Sequence, residues 1–329
     1  MSNYYGGITG YGKAVPERVV TNEELASKID TSDQWITERT GIKQRRVVGD
    51  HEQCSQLATD SARKAMERAG VSADEIDLII VATSSPDFLT PPVSSMVQHN
   101  LGAKCGAFTM VVGCTGFVSA LITADLYMKT GQYRNIIVVG VEVITRMVDW
   151  EDRNTCVLFG DGAASVVVSR KKEPCGVLSH MMGSDGSGAE LLILPSGGTK
   201  VPPSHESLDS GQNYLKMNGR EVFKFATKVM GQSIEKVLED SGLSKDDIDL
   251  YIPHQANARI IEFAIKTADL PADRVYINVH KYGNTSAASI PIALCEAFDE
   301  GRVKMGDKMV FVAFGAGLTW AACTLQLPE

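Results

Sequence analysis

The chain repeats a stretch of its own sequence after about half its length. Residues 70–80 read GVSADEIDLII and residues 242–252 read GLSKDDIDLYI, with seven identities in eleven positions at an offset of 172. Such self-similarity indicates a structural unit built twice in one chain. The same offset places Cys114 opposite Ser286. The sequence therefore predicts two equivalent halves whose corresponding segments face each other.

Each half shows the same order of elements. A periodic helix over 55–69 or 221–241 precedes an apolar strand over 77–83 or 249–252. Helices alternating with near-continuous apolar strands are typical of sheets that are covered by helices on both faces. We therefore expect an α/β protein with one half over 1–172 and the other over 173–329.

The halves differ by an insertion of about 17 residues between Glu142 and Phe159 of the first half. It contains Arg146, Trp150 and Arg153, and functional residues concentrate in such surface loops. The insertion is therefore a candidate ligand-contacting segment.

Composition excludes several classes of function. The 329 residues are 44% hydrophobic and 22% charged, and the formal net charge is −8. This charge argues against a nucleic-acid or anionic-membrane surface, and an acidic partner would need a local basic patch. The chain shows neither a signal-like start nor a run of roughly 20 apolar residues, so a cytoplasmic protein is expected. Seven cysteines without a Cys-x-x-Cys pair suggest reduced thiols and no metal site.

Three segments each end a strand-like run in a tight turn that carries one chemically useful side chain. They are VVGCTGF at 111–117, YIPHQAN at 251–257 and YGNTS at 282–286, which supply Cys114, His254 and Asn284. A thiol at a helix start is expected to be partly ionised by the helix dipole, and His and Asn can donate to an enolate oxygen. The apolar helix after Cys114 should be central, and its packing against the helix after Ser286 would bring Cys114 and Asn284 together.

Ordinary structural roles compete with each of these assignments. Most cysteines are buried and inert, a loop histidine is often only hydrogen-bonded, and Asn is a common turn former. The glycines on both sides of Cys114 and the helix that follows it distinguish this cysteine from the other six.

Together with WITERTGI at 35–42 and FGAGLTW at 314–320, the three segments resemble β-ketoacyl-(acyl carrier protein) synthase III of the thiolase superfamily. The resemblance covers essentially the whole chain, with five motifs in the family's order. It implies a five-layered thiolase-like fold and a homodimer. It also implies a decarboxylating Claisen condensation of an acyl-CoA primer with malonyl-acyl carrier protein, which initiates fatty-acid biosynthesis without a metal or redox cofactor.

The resemblance also implies a role for individual residues. Cys114 would be the acylated nucleophile, His254 and Asn284 would stabilise the enolate, and the amides of Cys114 and Ala316 would form an oxyanion hole. Contacts to coenzyme A would come from Thr31, Trp35, Arg39, Arg153 and Asn257, with Trp35 and Arg153 on either side of the adenine. Lys224, Arg259 and Lys266 would dock the carrier protein. This chain departs from the family pattern at Gly113, where the family has alanine.

The acyl pocket gives a further expectation from the resemblance. Thr90 matches the position at which many family members restrict the primer with an aromatic ring from the partner subunit. Because Thr90 is small, we expect medium or long acyl-CoA primers to be accepted.

Other functions remain open at this stage. A condensing or acyl-transfer enzyme of secondary metabolism would use the same Cys-His-Asn set. A biosynthetic thiolase would need a second active-site cysteine, for which neither Cys295 nor Cys323 is an evident match. A non-catalytic partner subunit would be expected to lack Cys114. A cysteine hydrolase would release free acid in place of a condensation product.

Overall fold

A computed structural model describes residues 4–329. The strands are β1 Tyr5–Ala14, β2 Val19–Thr21, β3 Gln44–Arg46, β4 Leu78–Ala82, β5 Gly106–Met110, β6 Asn135–Glu142, β7 Gly162–Lys171, β8 Gly176–Ser184, β9 Leu192–Ile193, β10 Lys216–Met217, β11 Leu250–Pro253, β12 Lys308–Gly315 and β13 Thr319–Gln326. The helices are α1 Asn22–Ala26, α2 Asp33–Thr40, α3 Cys54–Ala69, α4 Val93–Leu101, α5 Gly116–Lys129, α6 His205–Asp209, α7 Gly219–Ser241, α8 Ala258–Thr267, α9 Val279–Tyr282 and α10 Ser289–Asp299.

Two mixed sheets form the framework. The first has the order β1-β7-β6-β4-β5 and the second has the order β11-β12-β13-β8. In the first sheet β4 is parallel to β5 and β6, and in the second β11 is parallel to β12. The series β4-β6-β7-β1 thus corresponds to β11-β12-β13-β8, while β5 has no counterpart and lies at an edge.

Helices separate and cover the two sheets. α3 and α4 pack on the outer face of the first sheet, and α7 and α8 cover the second. α5 and α10 lie between the sheets and contact strands of both. This arrangement of helices, sheet, helices, sheet and helices confirms the predicted α/β fold with five layers.

The middle layer is buried because its helices are apolar on most sides. α5 buries ten of its fourteen residues, and it shares one apolar cluster with α10 and with strands of both sheets. Close approach depends on two glycines: a Cβ on Gly116 would lie 2.8 Å from the Cβ of Ala82, and one on Gly140 would lie 2.3 Å from the carbonyl oxygen of Ala287. The prediction that the helix after Cys114 is central is confirmed.

The register of the internal repeat shifts by one residue near the site. Leu78 pairs with Ile136 in the first sheet, whereas Leu250 pairs with Met309 in the second, so the offset rises from 172 to 173. The 3-10 turn Gly113–Thr115 before α5 therefore corresponds to Ser286–Ala288 before α10. The sequence alignment of Cys114 with Ser286 is wrong by one residue, and Gly113 is the counterpart of Ser286.

The insertion lies between two paired strands. β6 and β7 are joined by residues 143–161, whereas residues 316–318 make the corresponding connection between β12 and β13. Part of this segment, residues 153, 154 and 157–159, lines a cleft that also contains Cys114. None of the helices within residues 4–329 combines the length and apolar character that a membrane span requires.

Candidate active site

One cleft of about 290 Å³ leads from the surface to the N-terminal ends of the two central helices. Its buried end is lined by Cys114, His254 and Asn284, three residues that are far apart in sequence. Nearer the surface it is lined by Trp35, Arg39, Arg153, Asn257 and Arg259. The structure thus brings together the three predicted catalytic side chains and most of the predicted coenzyme A contacts.

Cys114 lies in the sharp turn that starts α5. The turn requires a positive φ of 59° at Gly113, a conformation that glycine adopts without strain. The loop after β12 packs against it so closely that a Cβ on Gly315 would lie 2.8 Å from the Cys114 amide nitrogen. A Cβ on Gly113 would lie 3.2 Å from the Ala316 amide nitrogen. The backbone around Ala316 therefore lies beside the nucleophile turn, as predicted for the two amides of an oxyanion hole.

The buried Cys114 thiol is neutral. Burial raises its pKa to about 12, against a smaller lowering effect from a hydrogen bond with Ser286. The prediction that the helix terminus partly ionises this thiol is therefore wrong for the resting protein. The physical reason is that desolvation of a buried thiolate outweighs the helix dipole. None of the seven cysteines forms a disulfide.

His254 lies directly after β11 and lines the cleft, with one ring nitrogen hydrogen-bonded and the other unpaired among the described residues. Its Nδ1 lies 2.6 Å from the Ser289 hydroxyl, and Nε2 is buried without a hydrogen-bond partner among the described residues. Burial lowers the pKa of this imidazole to about 3, so it is neutral near pH 7. The Phe314 ring packs edge-on against it at 5.4 Å between centroids.

Asn284 is fixed by its own backbone. Its amide donates to the Leu158 carbonyl at 2.8 Å, and its carbonyl accepts from Gly160 at 3.1 Å. The side-chain Oδ1 accepts from the Ser286 amide at 2.8 Å, which leaves the amide group Nδ2 on the side of the cleft.

At the surface end, Trp35 is already covered by two guanidinium groups. Arg153 Cζ lies 5.1 Å from the centroid of the indole and Arg39 Cζ lies 6.0 Å from it. Arg153 also donates to the Asp30 carbonyl at 2.9 Å. A purine between Trp35 and Arg153 would have to displace Arg153, because the guanidinium lies over the indole with no room for a ring between them.

The remaining predicted contacts differ in how they meet the cleft. Asn257 caps α8 by accepting from the Arg259 amide at 2.9 Å, and its Nδ2 donates to the Arg39 carbonyl at 3.2 Å. Thr31 does not line the cleft, although its buried hydroxyl has no partner within residues 4–329.

The predicted docking residues lie on neighbouring helices. Arg259 and Lys266 are exposed on α8, and Lys224 is exposed on the adjacent α7, where it forms an ion pair with Glu221 at 2.7 Å. Thr90 is exposed in the loop before α4 and does not line this cleft.

Sequence reasoning missed four residues next to the predicted set: Glu142, Ser286, Ser289 and Phe314. Glu142 carried a signal, because it ends an otherwise apolar strand and is buried with no exposed surface. Ser286 was marked by the repeat as a counterpart of the nucleophile turn.

Comparisons with known proteins agree with these observations. The family profile described as 3-oxoacyl-(acyl-carrier-protein) synthase III matches residues 108–186, and the profile of its C-terminal region matches residues 238–327. The β-ketoacyl-(acyl-carrier-protein) synthase III of Caldanaerobacter subterraneus is 49% identical over 321 residues, covering 97% of both chains. The enzyme of the same name from Clostridium acetobutylicum is also 49% identical, over 97% of this chain and 98% of its own.

Solved structures give the same answer. The 3-oxoacyl-(acyl-carrier-protein) synthase III of Aquifex aeolicus superimposes with a TM-score of 0.90 at 43% identity, covering 98% of this chain and 99% of its own. The priming β-ketosynthase of the R1128 polyketide pathway superimposes with a TM-score of 0.92 at 33% identity, covering 99% of this chain and 97% of its own. Given this agreement over nearly the full length, the chain belongs to the β-ketoacyl-(acyl carrier protein) synthase III family of condensing acyltransferases.

Proposed function

We propose that this enzyme condenses an acyl-CoA primer with malonyl-acyl carrier protein in two stages, and so initiates fatty-acid biosynthesis. The observation that supports this most is the meeting of a buried thiol, a neutral imidazole and a carboxamide at the closed end of one cleft. The first stage transfers the acyl group from coenzyme A to Cys114. The second uses the enolate of the decarboxylated extender to attack the acyl-cysteine.

Coenzyme A is held at the surface end of the cleft in this proposal. Arg153 turns away from Trp35, and the purine of coenzyme A stacks between the indole and the guanidinium plane. Arg39 and Thr31 contact the outer part of the molecule, and the pantetheine arm passes Asn257. Trp35 and Cys114 line the same cleft, which supports this assignment.

The enolate is held by His254 and Asn284. The Ser289 hydroxyl accepts from the Gln255 amide at 3.3 Å, so its own proton is available for His254 Nδ1. That arrangement puts the ring proton on Nε2, the nitrogen with no other partner. Because burial keeps the ring neutral, His254 acts as a hydrogen-bond donor. Asn284 Nδ2 is the second donor, and the amides of Cys114 and Ala316 stabilise the tetrahedral oxyanions.

The carrier protein docks on α7 and α8. Lys224, Arg259 and Lys266 form a basic group on a chain of net charge −8, and Arg259 reaches the mouth of the cleft. An acidic carrier would be steered to this group.

We also propose a homodimer in which each chain consists of halves 1–172 and 173–329. The edge strand β5 and the exposed side chains of Phe88, Leu89 and Val111 support it, because unpaired edges and apolar patches favour association.

Intact-protein mass spectrometry tests the function directly. The enzyme is exposed to a panel of acyl-CoA thioesters and then to malonyl-acyl carrier protein. One acyl adduct per chain is expected, and it should disappear with formation of a β-ketoacyl-carrier product.

Cys114→Ala should remove the adduct with the fold intact, whereas Cys175→Ala, which changes another buried thiol, should retain it. An adduct that persists on folded Cys114→Ala would refute the nucleophile, and free acid as the only product would indicate a hydrolase.

A further inference from the structure

The proposed steps leave one buried acid beside the nucleophile without a role. Glu142 ends β6 with no exposed surface, and the groups around it are hydrogen-bond donors. The Ser84 amide lies 3.2 Å from both carboxylate oxygens, and the Ser85 hydroxyl donates to Oε2. A buried carboxylate without a paired cation is rare, so it calls for a functional explanation.

Ser286 connects this carboxylate to the thiol. Its hydroxyl donates to Glu142 Oε1 at 3.0 Å. The turn Ser286–Ala288 packs against the turn Gly113–Thr115 that carries Cys114, and the Ser286 hydroxyl lowers the pKa of the Cys114 thiol. Ser286 has a positive φ of 46°, which is uncommon for a residue other than glycine and costs energy. The turn therefore holds a hydroxyl between Cys114 and Glu142 at the expense of backbone strain.

The thiol needs such a partner because the described residues that line the cleft offer no other acceptor for its proton. Burial keeps Cys114 in the thiol form, which is a poor nucleophile. The other polar group, His254, carries a proton on the nitrogen that faces the cleft if it is to stabilise the enolate. A nitrogen that already carries a proton cannot accept another from Cys114.

We propose that Glu142, acting through the Ser286 hydroxyl, accepts the Cys114 proton during acylation, holds it while the acyl-enzyme exists, and returns it when condensation is complete. In this scheme Ser286 exchanges a proton with the reacting sulfur, and Glu142 acts only through Ser286. The inference rests on the proposed role of Cys114 as the nucleophile.

The proton balance closes over the two stages. In acylation the Cys114 S–H bond breaks, its proton passes to Ser286 Oγ, and the Ser286 proton passes to Glu142. The sulfur electron pair forms the thioester bond, and the coenzyme A thiolate leaves and takes a proton from water. In condensation the enolate carbon displaces Cys114 as a thiolate. The thiolate recovers its proton from Ser286 as Glu142 reprotonates Ser286 and becomes ionised again.

The proposal predicts how the reactivity of Cys114 depends on pH. Burial raises the pKa of Glu142 to about 7, partly offset by its hydrogen bonds. Only the ionised carboxylate can accept a proton, so reactivity should rise as pH increases through about 7 and then level off. The titratable groups that face Glu142 are the thiols of Cys114 on the turn before α5 and Cys54 on α3, and both are neutral in this range.

Alkylation of Cys114 by iodoacetamide provides the test, since this small neutral reagent does not depend on coenzyme A binding. The rate is followed by intact mass across neutral pH in the full-length protein, in Ser286→Ala and in Glu142→Gln. Both variants should lose the inflection near pH 7 and react about 100-fold more slowly there, with a rate that rises continuously with pH. Glu142→Asp should recover part of the rate, because it restores a carboxylate.

Glu296→Gln is the matched control. Glu296 lies on α10, is also buried, and also accepts a hydrogen bond from a hydroxyl group, that of Tyr282. In this variant the rate of Cys114 alkylation should still show the inflection near pH 7. Ser286→Ala leaves the other Glu142 partners in place, so the test survives if Glu142→Gln does not fold. An inflection that persists in either folded variant would overturn the relay. The two failures are distinguishable: the relay fails if Cys114 is acylated normally with an unchanged pH profile, whereas the proposed function fails if acyl-CoA never acylates Cys114.

Discussion

At the scale of single residues, burial determines the protonation states of Cys114 and His254, the two titratable side chains at the closed end of the cleft. The same desolvation that keeps the Cys114 thiol protonated also keeps the His254 ring neutral. Buried polar atoms without a partner are uncommon in folded proteins, and His254 Nε2 is one of them. An unpaired donor aimed into a cleft is expected where a negative charge develops on the substrate.

The two donors should be separable from the nucleophile by kinetics. His254→Ala or Asn284→Ala should slow decarboxylation of malonyl-acyl carrier protein by about 100-fold, the cost of removing one oxyanion donor. Acylation of Cys114 should fall much less, because neither side chain is assigned to that step. Carbon dioxide release and adduct formation measure the two half-reactions. His280→Ala, a half-buried histidine outside the cleft, should affect neither. Equal losses in both half-reactions would contradict this division of roles.

At the scale of elements, the site depends on how closely the central layer approaches the first sheet. The turn Ser286–Ala288 rests on β6 where Gly140 has no side chain. This contact sets the distance between β6 and the turn that carries Ser286 and follows Asn284. The two helix starts can therefore meet only if these positions stay small.

Gly140→Ala should consequently disturb both stability and catalysis. The new Cβ would lie 2.3 Å from the Ala287 carbonyl oxygen, so the backbone must move. We expect a loss of about 1–3 kcal/mol in the free energy of unfolding, typical of overpacking, together with slower decarboxylation. Chemical denaturation and carbon dioxide release measure these effects. Gly198→Ala should change stability and activity little, because no described atom lies within 4 Å of the Cβ that it would add. A fully stable and active Gly140→Ala would show that this contact does not position the turn.

The helices α7 and α8 carry the proposed docking group on the outside of the same site. Lys224→Glu combined with Arg259→Glu should raise the KM for malonyl-acyl carrier protein about tenfold. We expect each exposed charge to contribute roughly 0.7 kcal/mol to carrier binding, and about 1.4 kcal/mol corresponds to a factor of ten. Acylation by acyl-CoA should change little, and the effect should weaken with added salt. Lys236→Glu reverses another exposed charge of α7 and serves as the control. If a malonyl-pantetheine mimic without the carrier is affected equally, the docking assignment is wrong.

At the scale of the whole molecule, the proposed homodimer would complete the acyl pocket of each chain with residues of the second copy. Thr90 is exposed in the single chain, beside the exposed side chains of Phe88 and Leu89. The proposed homodimer would bring this loop to the partner's pocket. In this proposal, chain-length preference would be a property of the dimer and not of the single chain.

Thr90→Phe should therefore shift the enzyme toward short primers. The unmodified enzyme is expected to accept medium or long acyl-CoA, since each additional buried methylene contributes about 0.8 kcal/mol. A ring at position 90 would remove that space. Acylation rates across a series of acyl-CoA chain lengths measure the preference, with Thr199→Phe on another exposed loop as the control. Strict preference for acetyl-CoA in the unmodified enzyme would contradict the prediction, as would an unchanged profile in Thr90→Phe.

The sequence by itself determined the class of fold, the internal repeat and the turns that carry Cys114, His254 and Asn284. These follow from local patterns: apolar periodicity, turn glycines and motif order are all properties of neighbouring residues. The family resemblance rested on the same short segments, and the comparisons confirm it.

Only the tertiary structure decided the protonation state of Cys114 and the contacts of the residues that surround the three catalytic side chains. The Cys114 thiol keeps its proton because desolvation by layers distant in sequence outweighs the local effect of the helix terminus. The one-residue shift of the repeat could not be read from identities, since it arises from strand pairing between β11 and β12. Glu142 and Ser286 lie 144 residues apart and meet only because the two halves pack face to face. Burial and long-range contacts are sums over the folded chain, and for that reason no local pattern contains them.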